Sequence, residues 1–289
     1  MKKNVHEIIT ERLIEMLETG TAPWRKPWAG SAGGLAVNMK SKKEYRGINQ
    51  FMLAFSRYES PYWVTFKQAK ELGGTIRKGE KSTPVVFFSW IFKDGKGKAV
   101  KVAKDAETKH GFYRYYNVFN IEQCEGIENP AQAKPVREHE PIREAELIVE
   151  NMQSRPDIEH GGGRACYSPP LDTVKMPKPE TFTRGEEYYS TLFHELGHAT
   201  GHSSRLNRKG ITEKEIRFGD SDYSREELVA EMTAAFLCGH SGIETATLDN
   251  TAAYLANWIK ALKGDSKLAI TAGAQAQKAA DYIRNVQHG

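Results

Sequence analysis

His194-Glu195-Leu196-Gly197-His198 places two imidazoles four residues apart with a carboxylate between them. On a helix, residues i and i+4 share a face one turn apart, so both rings can reach one metal ion. Glu195 then falls beside the position left open for water. The flanks predict that helix. Glu186 and Glu187 suit the positive end of the helix dipole, while Tyr188, Tyr189, Leu192, Phe193 and Leu196 supply an apolar face and Gly201 offers a stop. The plain alternative is an HExxH that arose by chance on a charged helix, and the glutamate together with the helical context argues against it.

A catalytic zinc takes three protein ligands and leaves one place for water. The metzincin pattern requires a histidine at position 204, which is Ser204 here; His202 is out of register, and His240 reads as a solvated histidine at a helix C-terminus. That leaves Ser224-Arg-Glu-Glu-Leu-Val-Ala-Glu231, in which Glu227 and Glu231 lie one turn apart. Ser224 with Glu227 three residues on forms a capping box, which accounts for Glu227 as the residue reaching back to the start of a second helix. Glu231 lies among Leu228, Met232, Ala234, Ala235, Phe236 and Cys238, the surface expected to pack on the motif helix, and a carboxylate there needs a strong partner. Glu231 is therefore the expected third ligand beside His194 and His198, with Glu227 in reserve. The expected chemistry is that of a gluzincin-type metallopeptidase with Zn2+ as cofactor. Glu195 is the catalytic base that activates water against a peptide carbonyl, and Tyr223 is a candidate stabiliser of the oxyanion.

The 289 residues suggest two domains, each large enough for its own core. No apolar run approaches a membrane span and the first twenty residues do not form a signal peptide, so a cytoplasmic protein without membrane partners is expected. Residues 4–20 instead read as an amphipathic helix carrying Val5, Ile8, Ile9, Leu13, Met16 and Leu17 on one side. Cys124, Cys166 and Cys238 have no paired spacing, which excludes a disulfide framework or a cysteine zinc site.

The net charge of +4 divides unevenly: residues 1–128 hold 22 Lys and Arg against 14 Asp and Glu, and the remainder 19 against 23. Between the halves, residues 129–141 are proline-rich and read as a linker, leaving domains at 1–128 and 142–289. The basic half also holds Trp24, Trp28, Trp63 and Trp90, four of the five tryptophans. Cations that neutralise phosphates and flat rings that stack on bases are what single-stranded DNA binding requires. Pro23-Trp-Arg-Lys-Pro-Trp28 concentrates both, making Trp24, Arg25, Lys26 and Trp28 candidates. Lys42, Lys43, Tyr45, Arg46, Lys78 and Lys81 follow. Core packing of Trp24 and Trp28 is the competing reading. The rest of this half reads as α+β: a short helix capped by Thr65, a strand at 85–92, a turn at 94–97, a partner strand at 99–102 and another strand at 112–119. Several of its aromatics are expected to fill the core. Residues 251–262 and 266–286 read as closing helices.

Pro23-Trp-Arg-Lys-Pro-Trp28, Tyr45-Arg-Gly-Ile-Asn49, Trp63-Val-Thr-Phe-Lys-Gln-Ala69 and Lys78-Gly-Glu-Lys81, followed by HELGH and REELVAE, together resemble the ArdC antirestriction proteins of plasmids and other mobile elements, along nearly the whole chain. The resemblance implies an α+β protein with an N-terminal single-stranded DNA-binding domain. It also implies a mostly helical C-terminal zincin-like metallopeptidase domain with a small sheet, related in outline to SprT-type proteases. It implies metal positions at His194, His198 and Glu231 with Glu195 as base, and a role in protecting incoming single-stranded DNA from restriction. Residues 164–177 look like the extended segment that precedes the active helix, where an edge strand could line a peptide groove by strand addition. Two functions follow: a DNA-associated zinc peptidase with a protein or peptide substrate, or a single-stranded DNA-binding protective protein whose zinc site is structural. A nuclease is disfavoured, because the carboxylate pairs that two metals need are missing.

Overall fold

The computed structural model describes residues 4–25, 35–56, 58–94, 99–100, 108–130, 141–212, 221–243 and 252–287. The chain opens with helix α1 (Val5–Glu18), which starts where Asn4 accepts a hydrogen bond from the Glu7 amide and Glu7 reaches back to the Asn4 N–H. Its Ile9, Leu13, Met16 and Leu17 are buried, the stripe that the sequence spacing predicts. A 3-10 turn at Pro23–Arg25 follows, then β1 (Val37–Asn38), α2 (Ile48–Ala54), β2 (Tyr62–Thr65) and α3 (Phe66–Glu71). α3 begins with the Thr65–Gln68 capping box. Next come β3 (Thr75–Ile76), β4 (Thr83–Lys93), β5 (Ala99–Val100), β6 (Thr108–Asn120) and β7 (Cys124–Glu125).

These strands form a five-stranded sheet in the order β1-β2-β6-β4-β5 and a small β3-β7 pair. Of the partner strand expected at 99–102, the described residues Ala99 and Val100 pair with Lys93 and Phe92 of β4. β4 also pairs with β6 along its whole length, from Thr83 opposite Val118 to Lys93 opposite Thr108. The result is a long two-stranded ribbon.

The second half begins with α4 (Pro141–Glu150). A three-stranded sheet follows in the order β8-β10-β9, made of β8 (Asp157–His160), β9 (Cys166–Ser168) and β10 (Thr173–Met176). Helices α5 (Gly185–Ala199), α6 (Lys209–Thr212), α7 (Ser221–Ser241), α8 (Ala252–Gly264) and α9 (Leu268–Ile283) complete the chain. Most of the linker expected at 129–141 and of the turn expected at 94–97 lies outside the described residues. The class is α+β, as expected.

The two halves share one core. Ile9, Leu13 and Trp24 from the start of the chain, with Phe51 on α2, belong to the same buried cluster as Leu196 on α5, Phe236 on α7 and Ala276 on α9. Phe51 and Phe236 meet at a tilt with centroids 4.9 Å apart, and Trp24 meets Trp258 edge-to-face at 5.9 Å. The Tyr45–Asn49 segment is the main dock. Gly47 has φ +58° and its N–H donates to Gln277, while a Cβ on Gly273 of α9 would sit 2.8 Å from the Ile48 nitrogen, so backbone lies directly on backbone.

Candidate functional site

The site is built where α5 crosses α7, and the crossing depends on the glycine inside HELGH. A Cβ on Gly197 would lie 3.1 Å from the Ala230 Cα and 3.3 Å from its carbonyl oxygen, so only glycine lets the helices approach this closely. The approach brings Glu227 of α7 to the two histidines of α5. The Nε2 atoms of His194 and His198 are 3.1 Å apart, and the Glu227 carboxylate oxygens lie 3.6 and 3.5 Å from them. Four-coordinate zinc at about 2.0–2.1 Å sets neighbouring ligand atoms roughly 3.3 Å apart. The triangle therefore has the size of one face of a metal tetrahedron. Among the described residues these three side chains form the one such group.

Glu231, the expected third ligand, is placed elsewhere. Its carboxylate accepts the Trp24 indole N–H at 2.7 Å and the Tyr254 hydroxyl. The demand for a strong partner is met by the Trp24 indole of the N-terminal segment and the Tyr254 hydroxyl of α8. Ser224 lies inside α7 rather than at the N-cap position that a capping box with Glu227 requires. Only one turn of α7 faces the histidines, and Glu227 is on that turn.

Supports surround the histidines. The Glu226 carboxylate faces Nδ1 of His198 at 3.7 Å, an ionic contact longer than a hydrogen bond. The same carboxylate is gripped by the Arg208 guanidinium, whose other hydrogen bonds reach the Thr200 hydroxyl and the Gly197 carbonyl. Burial would push the Glu226 carboxyl up, but His198 and Arg208 outweigh it and hold it below the usual range. Burial likewise depresses the His198 imidazole, and the carboxylates of Glu226, Glu227 and Glu195 reverse the sign, leaving its pKa raised. A site that favours a proton on this ring is negative, as a dication requires.

Glu195 is buried at 8% exposure on the inner side of α5. Burial raises its carboxyl above the usual range, more strongly than the His198 charge and a hydrogen bond from the Tyr167 backbone N–H lower it. Tyr167 belongs to β9, the edge strand beside α5. His202, out of register in the sequence, is turned to the Ser204 hydroxyl at 2.8 Å. His240 is not a solvated, dipole-favoured cation. Burial and the charges of Arg284 and Arg46 push its pKa down to about 3, and its Nε2 faces the Arg284 guanidinium at 2.8 Å. The Tyr223 side chain lies outside the described residues.

The candidate DNA contacts separate into three groups. Trp24 is 1% exposed and serves the core, as the competing reading had it, and Arg46 is ion-paired with Asp281 of α9. Tyr45 is half-buried, its hydroxyl accepting from Asn38, and burial raises its pKa. Lys42, Lys43, Lys78 and Lys81 are exposed. Lys26, Trp28 and the Arg25 side chain lie outside the described residues. Several aromatics of the basic half fill the core, among them Trp63 and Phe51, whereas Phe87, Phe88, Trp90, Tyr115 and Tyr116 on the β4–β6 ribbon are 42–52% exposed.

Comparison with known proteins assigns both halves. Residues 3–119 match the N-terminal domain of the anti-restriction factor ArdC, and residues 143–275 match the zincin-like metallopeptidase family. The crystal structure of the antirestriction ArdC protein from plasmid R388, in its metal-free form, is 35% identical over 99% of this chain and 100% of that one, with a TM-score of 0.77. Its Mn(II)-bound form gives 34% identity over 98% of each chain and 0.74. The y4eC protein of Sinorhizobium fredii (strain NBRC 101917 / NGR234) is 33% identical over 98% of this chain and 92% of its own length. Two DNA primases TraC of Escherichia coli are 36% and 37% identical over 98% of this chain, which spans only 27% and 20% of their lengths. Among the described residues, no helix is long and apolar enough to cross a membrane. Matched end to end by a solved ArdC protein and half by half by the two domain families, the chain belongs to the ArdC antirestriction family.

Proposed function

We propose that this protein is a metal-dependent peptidase joined to a single-stranded DNA-binding half, acting in the cytoplasm to protect incoming mobile-element DNA from restriction. The observation that carries the peptidase is the triangle of His194, His198 and Glu227 with buried Glu195 beside it. His194, His198 and Glu227 would hold a divalent ion, zinc by donor chemistry; the manganese(II) in the R388 protein's structure supports a divalent ion without selecting zinc. Such an ion supplies Lewis acidity and a water of lowered pKa. Glu195, buried beside the triangle, would take the proton from a water held there and return it to the leaving amine. Glu226 and Arg208 orient His198. β9 is the edge strand of its sheet beside α5, the place where an extended peptide would add alongside Glu195.

The test is cleavage of a protein substrate by protein loaded with zinc or manganese. Glu195→Gln, with its metal content verified, is expected to lose at least about 100-fold in rate. Equal cleavage by Glu195→Gln would sink the peptidase. The second function, protection by binding alone, gains support if Glu195→Gln still shields DNA from restriction.

A further inference from the structure

The ribbon of β4 and β6 carries a feature that the metal centre does not use. Its strands of 11 and 13 residues contain Lys93, Lys109 and Arg114 and not one carboxylate. Register places Val86 opposite Tyr115, Phe88 opposite Tyr113, Trp90 opposite Gly111 and Phe92 opposite Lys109, so these residues share one face. On that face Phe88 meets Trp90 edge-to-face at 4.9 Å and Tyr113 at 5.1 Å, and the Lys109 ammonium sits 4.9 Å over the Trp90 ring. Gly111 makes the arrangement fit, since a Cβ there would lie 2.8 Å from Phe88. Phe88, Trp90 and Tyr115 nevertheless remain 42%, 46% and 42% exposed. Rings in soluble proteins are seldom left so open in a row without a partner.

We propose that this face, centred on Trp90 with Phe88, Tyr115 and Lys109, is the surface on which single-stranded DNA stacks. The proposal rests on the DNA-binding half of the function above and gives it a location. Three physical reasons select this partner. The Phe88 and Trp90 rings stand nearly perpendicular to each other, so each offers its own face, and bases laid on them are parted rather than stacked in series. A duplex cannot offer its base faces to such rings, whereas a single strand can. The charge on the ribbon has one sign, which complements phosphates and opposes a second copy of the same ribbon.

The experiment uses the full chain and a fluorescein-labelled oligothymidine, by anisotropy at rising salt, with a matched duplex alongside. Phe88→Ala/Trp90→Ala is expected to weaken single-strand binding at least tenfold, and Trp90→Phe to stay within about threefold of wild type. Lys109→Gln is expected to lower the salt slope by about 0.7. Unchanged metal binding in the double variant shows that it is folded. If wild type binds while the double variant binds equally well, the ribbon is not the site, although the DNA-binding half stands. If wild type shows no binding at low salt, the DNA reading and this proposal both fail. If sedimentation shows that the double variant loses a dimer without losing DNA, the face is a contact between copies and the proposal is overturned.

Discussion

At the scale of single residues, two glutamates one turn apart on α7 have been given different work by their neighbours. Glu227→Ala is expected to remove a metal ligand and abolish tight binding of zinc or manganese. Glu231→Ala is expected to leave that affinity nearly intact while costing roughly 1–3 kcal/mol of stability, because the Trp24 indole N–H and the Tyr254 hydroxyl lose the carboxylate they share and keep only their own 3.1 Å contact. Metal titration and thermal melts on the two variants check this, and the reverse pattern would restore Glu231 as ligand. His240 supplies a pH dependence. Its folded pKa of about 3 is depressed below the ordinary 6.5, so between these values the unfolded chain binds more protons than the folded one. Stability from this group is full above pH 6.5 and falls as pH drops, by at most about 1.4 kcal/mol per pH unit. His240→Gln should flatten that part of the pH profile, as measured by denaturant unfolding from pH 7 to 4. The histidine pair was legible in the sequence because four residues of one helix set its geometry alone. Which of Glu227 and Glu231 lies beside that pair was not, since the capping-box reading puts Ser224 at the start of α7 and the structure puts it inside the helix.

At the scale of elements, the α5–α7 crossing is a property of Gly197 as much as of the histidines. Gly197→Ala would press a methyl group on the Ala230 backbone, and separating the helices to relieve it draws Glu227 away from the imidazoles. The expected result is a loss of about 1–3 kcal/mol together with weaker metal binding, read by melts with and without added ion. Wild-type behaviour in both would refute the role given to this glycine. The helices with a single apolar stripe, such as α1, were readable from spacing. The β4–β6 ribbon was harder, because Pro84 to Phe92 is apolar at both parities. That pattern fits a strand buried on both faces as well as one displaying rings on both. The lack of any carboxylate in either strand is the local signal for display. Glu226 and Arg208 left no sequence signal at all, being 18 residues apart and joined only by the fold.

At the scale of the whole molecule, the charge division between the halves is real in composition yet does not divide the packing. Trp24, Arg46 and Gly47 carry the basic half into the core of the other. This explains why Trp24 and Arg46 are poor DNA candidates: contacts more than 200 residues away had already claimed them. A fragment of residues 142–289 would leave bare the surfaces that Leu13, Trp24 and Phe51 cover. It is expected to aggregate or bind hydrophobic dyes and to melt without cooperativity, and to recover when residues 1–128 are co-expressed. A monomeric fragment with a sharp melt near the parent's would contradict this. The shared core also bears on how such a protein can travel between genes. Nearly all of this chain is matched within a small part of each TraC primase, 27% of one and 20% of the other. A splice that carried only residues 142–289 or only residues 1–128 would deliver an open hydrophobic face to its new host. What recombination can trade as a working part is the full span, closed on itself by an indole near the front and a carboxylate near the back.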